Sequence, residues 1–141
     1  MTTKRENILA RIITQLANTT NVGSRIYRSR VVPLQRDESP ALIVEPVSDT
    51  IEQNTSPSTL DHFFTVRISV IVRGDIPDKV ADPIVESLHS KICTDLTLNG
   101  LAIDVQPGNT SFEAVDADQP AGVVGVEYLI RYRTLVADLT Q

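Results

Sequence analysis

The stretch HFFTVRISVIVRG at residues 62–74 alternates between two kinds of side chain almost without interruption. Its even-numbered positions are all apolar from Phe64 to Val72, which is the period of a strand with one face in a core. The positions between them combine charge with large apolar groups: Phe63, Thr65, Arg67, Ser69, Ile71 and Arg73. This second face is too polar for a core and too apolar for an ordinary solvent-facing surface.

A second strand of the same kind is predicted at residues 123–136. Alternate apolar residues from Val124 to Tyr132 form one face. The other face carries Glu127, Leu129, Arg131 and Arg133. Strands of this length span roughly 40 Å at ~3.3 Å per residue, about the full width of a domain of this size.

Two helices are predicted from apolar residues at helical spacing. The first covers residues 3–17, with its apolar stripe running from Ile8 to Leu16. The second is expected to begin with Pro83 as its first residue after Asp82 as the cap, and to end near Asp95; Asp78 is the alternative cap.

Shorter segments complete the pattern. Residues 25–32 are expected to be extended. An apolar strand is predicted at residues 41–47 and another strand at residues 111–117. Asn99-Gly100 lies between two apolar segments and is a strong hairpin signal. Pro46 cannot donate a ladder hydrogen bond, so that end of its strand is expected at an edge or beyond the pairing. Residues 48–60 are polar and are predicted to be a flexible loop, either a mobile arm or a splayed hairpin tip.

The order of helix, strands, helix and strands predicts an α+β fold. We expect a mainly antiparallel sheet, with a mixed sheet left open, and two α-helices packed on one of its faces. The length of 141 residues predicts a single domain over residues 1–141.

Composition narrows the function. The net charge is −5, from 13 basic and 18 acidic residues, which argues against a sequence-reading DNA-binding protein and suits a surface past which DNA slides without being held. The single cysteine, Cys93, excludes an internal disulfide and is expected to be buried as a small hydrophobe. No run of ~20 apolar residues predicts a membrane span, and no signal-type segment is present, so we expect a cytosolic chain.

Catalytic patterns are missing from the sequence, and we expect no enzyme, no cofactor and no metal site. His62 and His89 lie far apart in sequence. Glu113, Asp116 and Asp118 lie close together, but acidic loops are usually solvated; a hard cation is the alternative.

The mixed face of the long strands is the informative feature, because arginine interleaved with large apolar groups is typical of protein interfaces. An ordinary solvent-facing sheet with scattered hydrophobes is the alternative. We predict that the face is buried against another subunit or partner. The candidate residues are Phe63, Arg67, Ile71, Arg73, Leu129, Arg131 and Arg133. Candidate partner contacts in the polar segment are Ile51, Glu52, Gln53 and Asn54.

A succession of phrases along the chain resembles one family. They are RENILARIITQLA, VGSRIYRSRVVPL, PALIVEPV, FFTVRISVIVRG, DLTLNGLAIDV and GVEYLIRYRTLV. In this order they resemble the tail terminator proteins of long-tailed bacteriophages, the lambda-like minor tail family. The resemblance covers nearly the whole chain as a pattern of elements.

That resemblance implies a structural virion protein. Such subunits form a hexameric ring that caps the tail tube, stops its polymerisation and presents the surface that joins the head. The implied partners are further copies of the chain, the tail-tube protein and a head–tail connector or neck protein. DNA would pass through the lumen without sequence-specific binding, no membrane is involved, and the protein would be assembled in the host cytoplasm into the virion tail.

Other functions remain open at this point. The nearest is another head–tail neck or completion protein, of a phage or of a phage-like particle such as a gene-transfer particle or a tail-like bacteriocin. A small enzyme would use Asp116 or Asp118 with His62 or His89. A small cytosolic ligand-binding α+β domain would show an apolar cavity.

Overall fold

The computed structural model describes residues 2–29, 40–53, 58–115 and 121–140. These residues form two helices and five strands. In chain order the elements are α1 (Lys4–Leu16), β1 (Ile26–Arg28), β2 (Ala41–Gln53), β3 (Thr59–Arg73), α2 (Pro77–Cys93), β4 (Asp104–Val115) and β5 (Ala121–Leu135).

The five strands form one sheet in the order β1-β2-β3-β5-β4. β1 runs parallel to β2, and every other neighbouring pair is antiparallel. The predicted α+β class is confirmed, and the sheet is mixed because of the single parallel pair. The two predicted long strands are neighbours at its centre, paired from Thr59 opposite Leu135 to Arg73 opposite Ala121.

The core lies between the two helices and one side of the sheet. The apolar stripes of both helices are buried against alternate residues of β3 and β5. Burying each of these aliphatic side chains contributes about 1.5–3 kcal/mol, so the core is the main source of stability. The largest fully buried side chains include Tyr128, Phe64, Ile8, Ile12, Leu16, Leu42, Ile68, Ile84, Leu88 and Ile92.

The first helix matches its predicted range within one residue at each end. Thr3 caps it, because its hydroxyl accepts a hydrogen bond from the backbone N–H of Glu6 at 3.2 Å. This cap satisfies a donor that would otherwise have no partner in the first turn.

The prediction for the start of α2 was wrong. The helix begins at Pro77, with Ile76 as the cap, and Pro83 lies inside it. Pro77 fits the first position because the missing N–H is not needed there. Ala81 is completely buried, so packing favours a helix that already includes it. Pro83 lies on the exposed side of the helix, where its missing hydrogen bond is tolerated.

The prediction of a polar loop starting at residue 48 was also wrong over its first half. β2 continues to Gln53, and Ser48–Gln53 pair with Thr65–Leu60 of β3. The register shifts between Pro46 and Ser48, so the strand resumes pairing after the proline. Residues 54–57 lie outside the described residues.

Asn99-Gly100 does not join two strands, contrary to the hairpin signal. It lies in the turn that leads from α2 to β4, where Leu98, Asn99 and Gly100 all have positive φ values of 50, 61 and 84°. The Asp95 carboxylate accepts hydrogen bonds from the backbone N–H groups of Thr97 and Asn99, at 3.1 and 2.8 Å. These hydrogen bonds stabilise a turn that connects a helix to a strand, so the segment does not form a β-hairpin.

Candidate interaction surface

One side of the sheet has no helix over it among the described residues. We call this side the open face; its side chains alternate with the core-facing ones on the four longer strands. Most of those on the central strands are half-buried, except that Ser69 is buried and Arg133 is exposed, whereas their core-facing neighbours are almost completely buried. The open face includes Ile43, Glu45, Ser48, Thr50, Glu52, Asp61, Phe63, Thr65, Arg67, Ser69, Ile71, Arg73, Asp104, Gln106, Ser111, Glu113, Val123, Gly125, Glu127, Leu129, Arg131 and Arg133.

All seven residues predicted as interface candidates lie on the open face of β3 and β5. The register places Phe63 opposite Arg131 and Thr65 opposite Leu129. Ile71 lies opposite Val123 at the other end of the face. Two long strands that are remote in sequence therefore combine into one continuous surface. Its role as an interface stays a prediction.

Two arginines of the open face, Arg67 and Arg133, pair across the strands with carboxylates. Arg67 lies between Glu127 at 3.1 Å and Glu45 at 3.7 Å. Arg133 donates from Nε to Asp61 at 2.7 Å. Such exposed pairs contribute little to stability, but they neutralise the arginines and hold them flat against the sheet. The sequence pattern showed the arginines and missed their partners, which only the strand register reveals.

A shallow depression interrupts the open face at Gly125. It measures about 250 Å³ and is bordered by Arg67, Ser69 and Ser111. A Cβ at position 125 would lie only 2.9 Å from the Ser111 hydroxyl oxygen, so any other residue would fill the depression and displace its border. Glycine thus leaves a hollow at this point of the open face.

The predicted partner-contact segment lies at the end of β2. Ile51, Glu52 and Gln53 are exposed and pair with His62, Asp61 and Leu60. Asn54 lies outside the described residues. The contact candidates are therefore strand residues at one end of the sheet, close to Phe63.

A polar cluster on the helix side of the sheet joins three strands to α1. Asp49 accepts hydrogen bonds from the Tyr132 hydroxyl at 2.6 Å and from Arg5 at 3.2 Å, and lies 3.1 Å from His62 Nδ1. His62 Nε2 lies 2.8 Å from the Thr134 hydroxyl. Burial, and then the Asp49 carboxylate, raise the pKa of Tyr132.

This cluster has the order of a hydrolytic triad but not the access that one needs. His62 and Thr134 are each only 2% exposed, so no substrate carbonyl reaches the hydroxyl. The carboxylate, the imidazole and the hydroxyl satisfy one another inside the fold. We therefore interpret the cluster as a structural hydrogen-bond network that connects β2, β3, β5 and α1.

The second histidine, His89, contacts a different set of side chains. His89 Nδ1 lies 2.9 Å from the Tyr128 hydroxyl, and the Cys93 sulfur lies 3.7 Å from Nε2 of the same ring. The structure does not bring His62 and His89 together, since their hydrogen-bond partners differ. Cys93 is half-buried rather than fully buried, because α2 ends there. Burial raises the pKa of its thiol.

The described residues hold no group of three His, Cys, Asp or Glu side chains that could bind a metal ion. Glu113 is exposed on β4, whereas Asp116 and Asp118 lie outside the described residues. Neither described helix is long and apolar enough to cross a membrane.

Comparisons with known proteins add a structural likeness but no family. No protein-family model matches the chain, and no curated protein does. Among solved structures, the chain is similar to a chain of the "Virion of native gene transfer agent (GTA) particle". The match has a TM-score of 0.49 and 10% sequence identity, and covers 89% of this chain and 94% of that chain. A likeness at this level carries no functional inference.

Proposed function

We propose that this protein is a structural component of a phage-like virion and acts as a tail terminator. Its subunits form a ring, a hexamer in the expected case, that caps the tail tube and stops its polymerisation. The ring also presents the surface that meets the head–tail connector or neck protein. The observation that carries the proposal is the open face, together with the resemblance of the sequence phrases to tail terminators.

The chemistry of the open face supports burial against another protein. Phe63, Ile71, Val123 and Leu129 remain half-buried there, and exposing such groups to water is unfavourable. Arginine and aromatic residues are enriched in interfaces. Because Arg67 and Arg133 already have carboxylate partners, docking would not leave them as isolated buried charges.

The dimensions of the face also support the proposal. β3 and β5 contain 15 residues each, which corresponds to roughly 50 Å of strand at ~3.3 Å per residue. A continuous surface of this length suits one end of a tube subunit. Thr50 and Glu52 at the end of β2 extend the contact, because they lie opposite Phe63 and Asp61 on the open face. The net charge of −5 suits a lumen through which DNA slides.

The proposal is tested by adding the purified protein to polymerising tail-tube protein of the same virion. We expect tubes that stop growing and carry a ring of extra density at one end in negative-stain images. Tubes that grow at the same rate and to the same length would contradict the capping function. Bovine serum albumin at equal concentration controls for nonspecific crowding.

A further inference from the structure

A groove lies at the outer edge of the sheet, between β4 and the start of α2, and we call it the β4–α2 groove. It measures about 310 Å³. Its walls are Pro77, Asp78, Phe112, Glu113, Ala114, Gly122, Val123 and Val124. Phe112 is 70% exposed, and exposing a large aromatic side chain to this extent is unfavourable.

The groove is built by a close approach of the helix to the sheet. A Cβ at position 122 would lie 2.5 Å from Cβ of Pro77, so only glycine lets the first turn of α2 approach β5 this closely. The groove is therefore a fixed feature of the fold.

The rim of the groove is acidic. Asp78 and Glu113 flank the exposed Phe112 ring, and no cation among the described residues pairs with either carboxylate. An apolar floor with carboxylates at its rim fits a partner segment that carries both apolar and cationic side chains. The charge therefore indicates what kind of segment covers Phe112.

The opposite edge of the same sheet has that composition. β1 is the other outer strand, and its half-buried Ile26 and Tyr27 stand between Arg25 and Arg28. Arg25 donates only to backbone carbonyls among the described residues, those of Asn21 at 2.7 Å and Pro40 at 2.8 Å, so its charge has no carboxylate partner there. Arg28 is exposed, and its guanidinium group forms an ion pair with the Glu6 carboxylate.

The asymmetry of charge extends beyond these two arginines. Residues 2–29, which form α1 and β1, contain five basic side chains and one carboxylate, although the chain as a whole has 13 basic and 18 acidic residues. At the β1 edge itself Arg25 has no carboxylate partner among the described residues, whereas Asp78 and Glu113 stand at the groove rim on the other edge. Copies of such a molecule attract one another head to tail.

We propose that the β4–α2 groove of one copy receives the β1 edge, residues 25–28, of the next copy. Phe112 packs against the exposed part of β1, and Glu113 and Asp78 face Arg25, while Arg28 stays paired with Glu6. This contact is heterologous, because it joins two different surfaces of identical subunits. Repeated from copy to copy, it forms a closed ring if a whole number of copies completes one full rotation. The inference rests on the proposed function, for which it supplies the contact between ring subunits. The tube then meets the part of the open face that lies outside the groove, because Glu113 and Val123 belong to both surfaces.

The first test removes the aromatic side chain. We expect Phe112→Ser to weaken self-association roughly 30-fold, the effect of truncating a central interface aromatic, in sedimentation and light-scattering measurements across concentration. Ile103→Ser is the matched control, since Ile103 is also exposed, at 51%, and lies outside the groove. Phe112→Ser is not expected to alter folding because the side chain is mostly in solvent.

The second test reverses charges. Glu113→Arg and Arg25→Glu should each associate about tenfold more weakly than wild type. An equimolar mixture of the two variants should recover, because alternating copies restore opposite charges at every contact. Raising the salt concentration should weaken wild-type association and the mixture alike. Circular dichroism checks that Arg25→Glu is folded, and Asp78→Lys replaces Glu113→Arg as an independent groove variant.

The outcomes separate the inference from the proposed function. Association of Phe112→Ser and Glu113→Arg at wild-type strength, absence of rescue in the mixture, or a wild type that stays monomeric with a dissociation constant weaker than about 1 mM would overturn the inference. If groove variants associate normally but wild type still caps tubes, the inference fails and the proposed function stands. If rescue is seen but wild type never caps tubes, the contact stands and the proposed function fails.

Discussion

The guanidinium carbon of Arg131 lies 5.2 Å from the centre of the Phe63 ring, across the junction of β5 and β3. The two residues are direct cross-strand partners on the open face. The contact is a cation–π interaction that holds both side chains flat against the sheet. A surface prepared in this way docks without reordering its side chains, which reduces the entropic cost of association.

Loss of this contact should affect binding more than folding. We expect Arg131→Ala to change the free energy of unfolding by less than about 1 kcal/mol, because the contact is partly in water. Tube capping should weaken by roughly tenfold, measured as the concentration that halves mean tube length. Arg131→Lys keeps the charge and serves as the conservative comparison. A large loss of stability with unchanged capping would show that the pair is structural.

The close approach at Gly122 predicts a stability effect. Gly122→Ala places a Cβ at 2.5 Å from Pro77 Cβ, and a proline ring cannot move aside like a flexible side chain. We expect a loss of about 1–3 kcal/mol in the free energy of unfolding, measured with urea. Gly108→Ala, where the nearest atom would be 3.2 Å away, is the control and should cost less. Equal effects at the two positions would argue against the tight helix–sheet contact.

The buried cluster around Asp49 predicts an ordered series of variants. Tyr132→Phe removes one donor from a carboxylate that keeps two other partners, and should cost about 1–2 kcal/mol of stability. Asp49→Ala leaves the Tyr132 hydroxyl and His62 without their partner, and should cost about 3 kcal/mol or more. Chemical denaturation of both variants checks the order. A reversed order would mean that the carboxylate is not the centre of the network.

The pair formed by Glu6 and Arg28 predicts a small dependence of stability on pH. The hydrogen bond from Arg28 lowers the pKa of Glu6 below its usual 4.5, so the stabilisation is present above that value and is lost as the pH falls through the lowered pKa. Wild type should therefore exceed Glu6→Gln in stability at neutral pH, and the difference should shrink in acid. Urea midpoints from about pH 7 to about pH 3 measure this. A difference that grows in acid would contradict the assignment.

The raised pKa of Cys93 predicts slow alkylation. Burial disfavours the thiolate, which is the reactive form, so iodoacetamide should modify the folded protein more slowly than the unfolded protein at neutral pH. Mass spectrometry over time gives both rates. Equal rates would show that Cys93 is fully accessible.

Local periodicity was enough to predict the two central strands and the first helix. The alternation from Phe64 to Val72 and the stripe from Ile8 to Leu16 each repeat one pattern over many residues, and both sets are buried as expected. Because the second face of β3 follows from the first, the residues of the open face could also be predicted. The function of these residues could not be predicted from the pattern.

Features that depend on distant residues escaped sequence analysis. The pairing of Arg67 with Glu45 requires the register of β2 on β3, which neither strand shows by itself. The start of α2 was misplaced because Pro83 is a good first residue in isolation, while burial of Ala81 against the core favours an earlier start. Phe112 was not recognised as part of a groove, since the other wall belongs to a helix far away in sequence.

The most direct test of the central claim compares wild type with Leu129→Asp in the tube-polymerisation assay. Leu129 lies at the centre of the open face, and a carboxylate there would replace an apolar contact by a charge that docking has to remove from water. Asn7→Asp adds the same charge on the exposed side of α1 and is the control. We predict that wild type and Asn7→Asp stop tube growth and that Leu129→Asp, although folded, does not. Capping by Leu129→Asp at wild-type concentration would contradict the assignment of the open face to the tube.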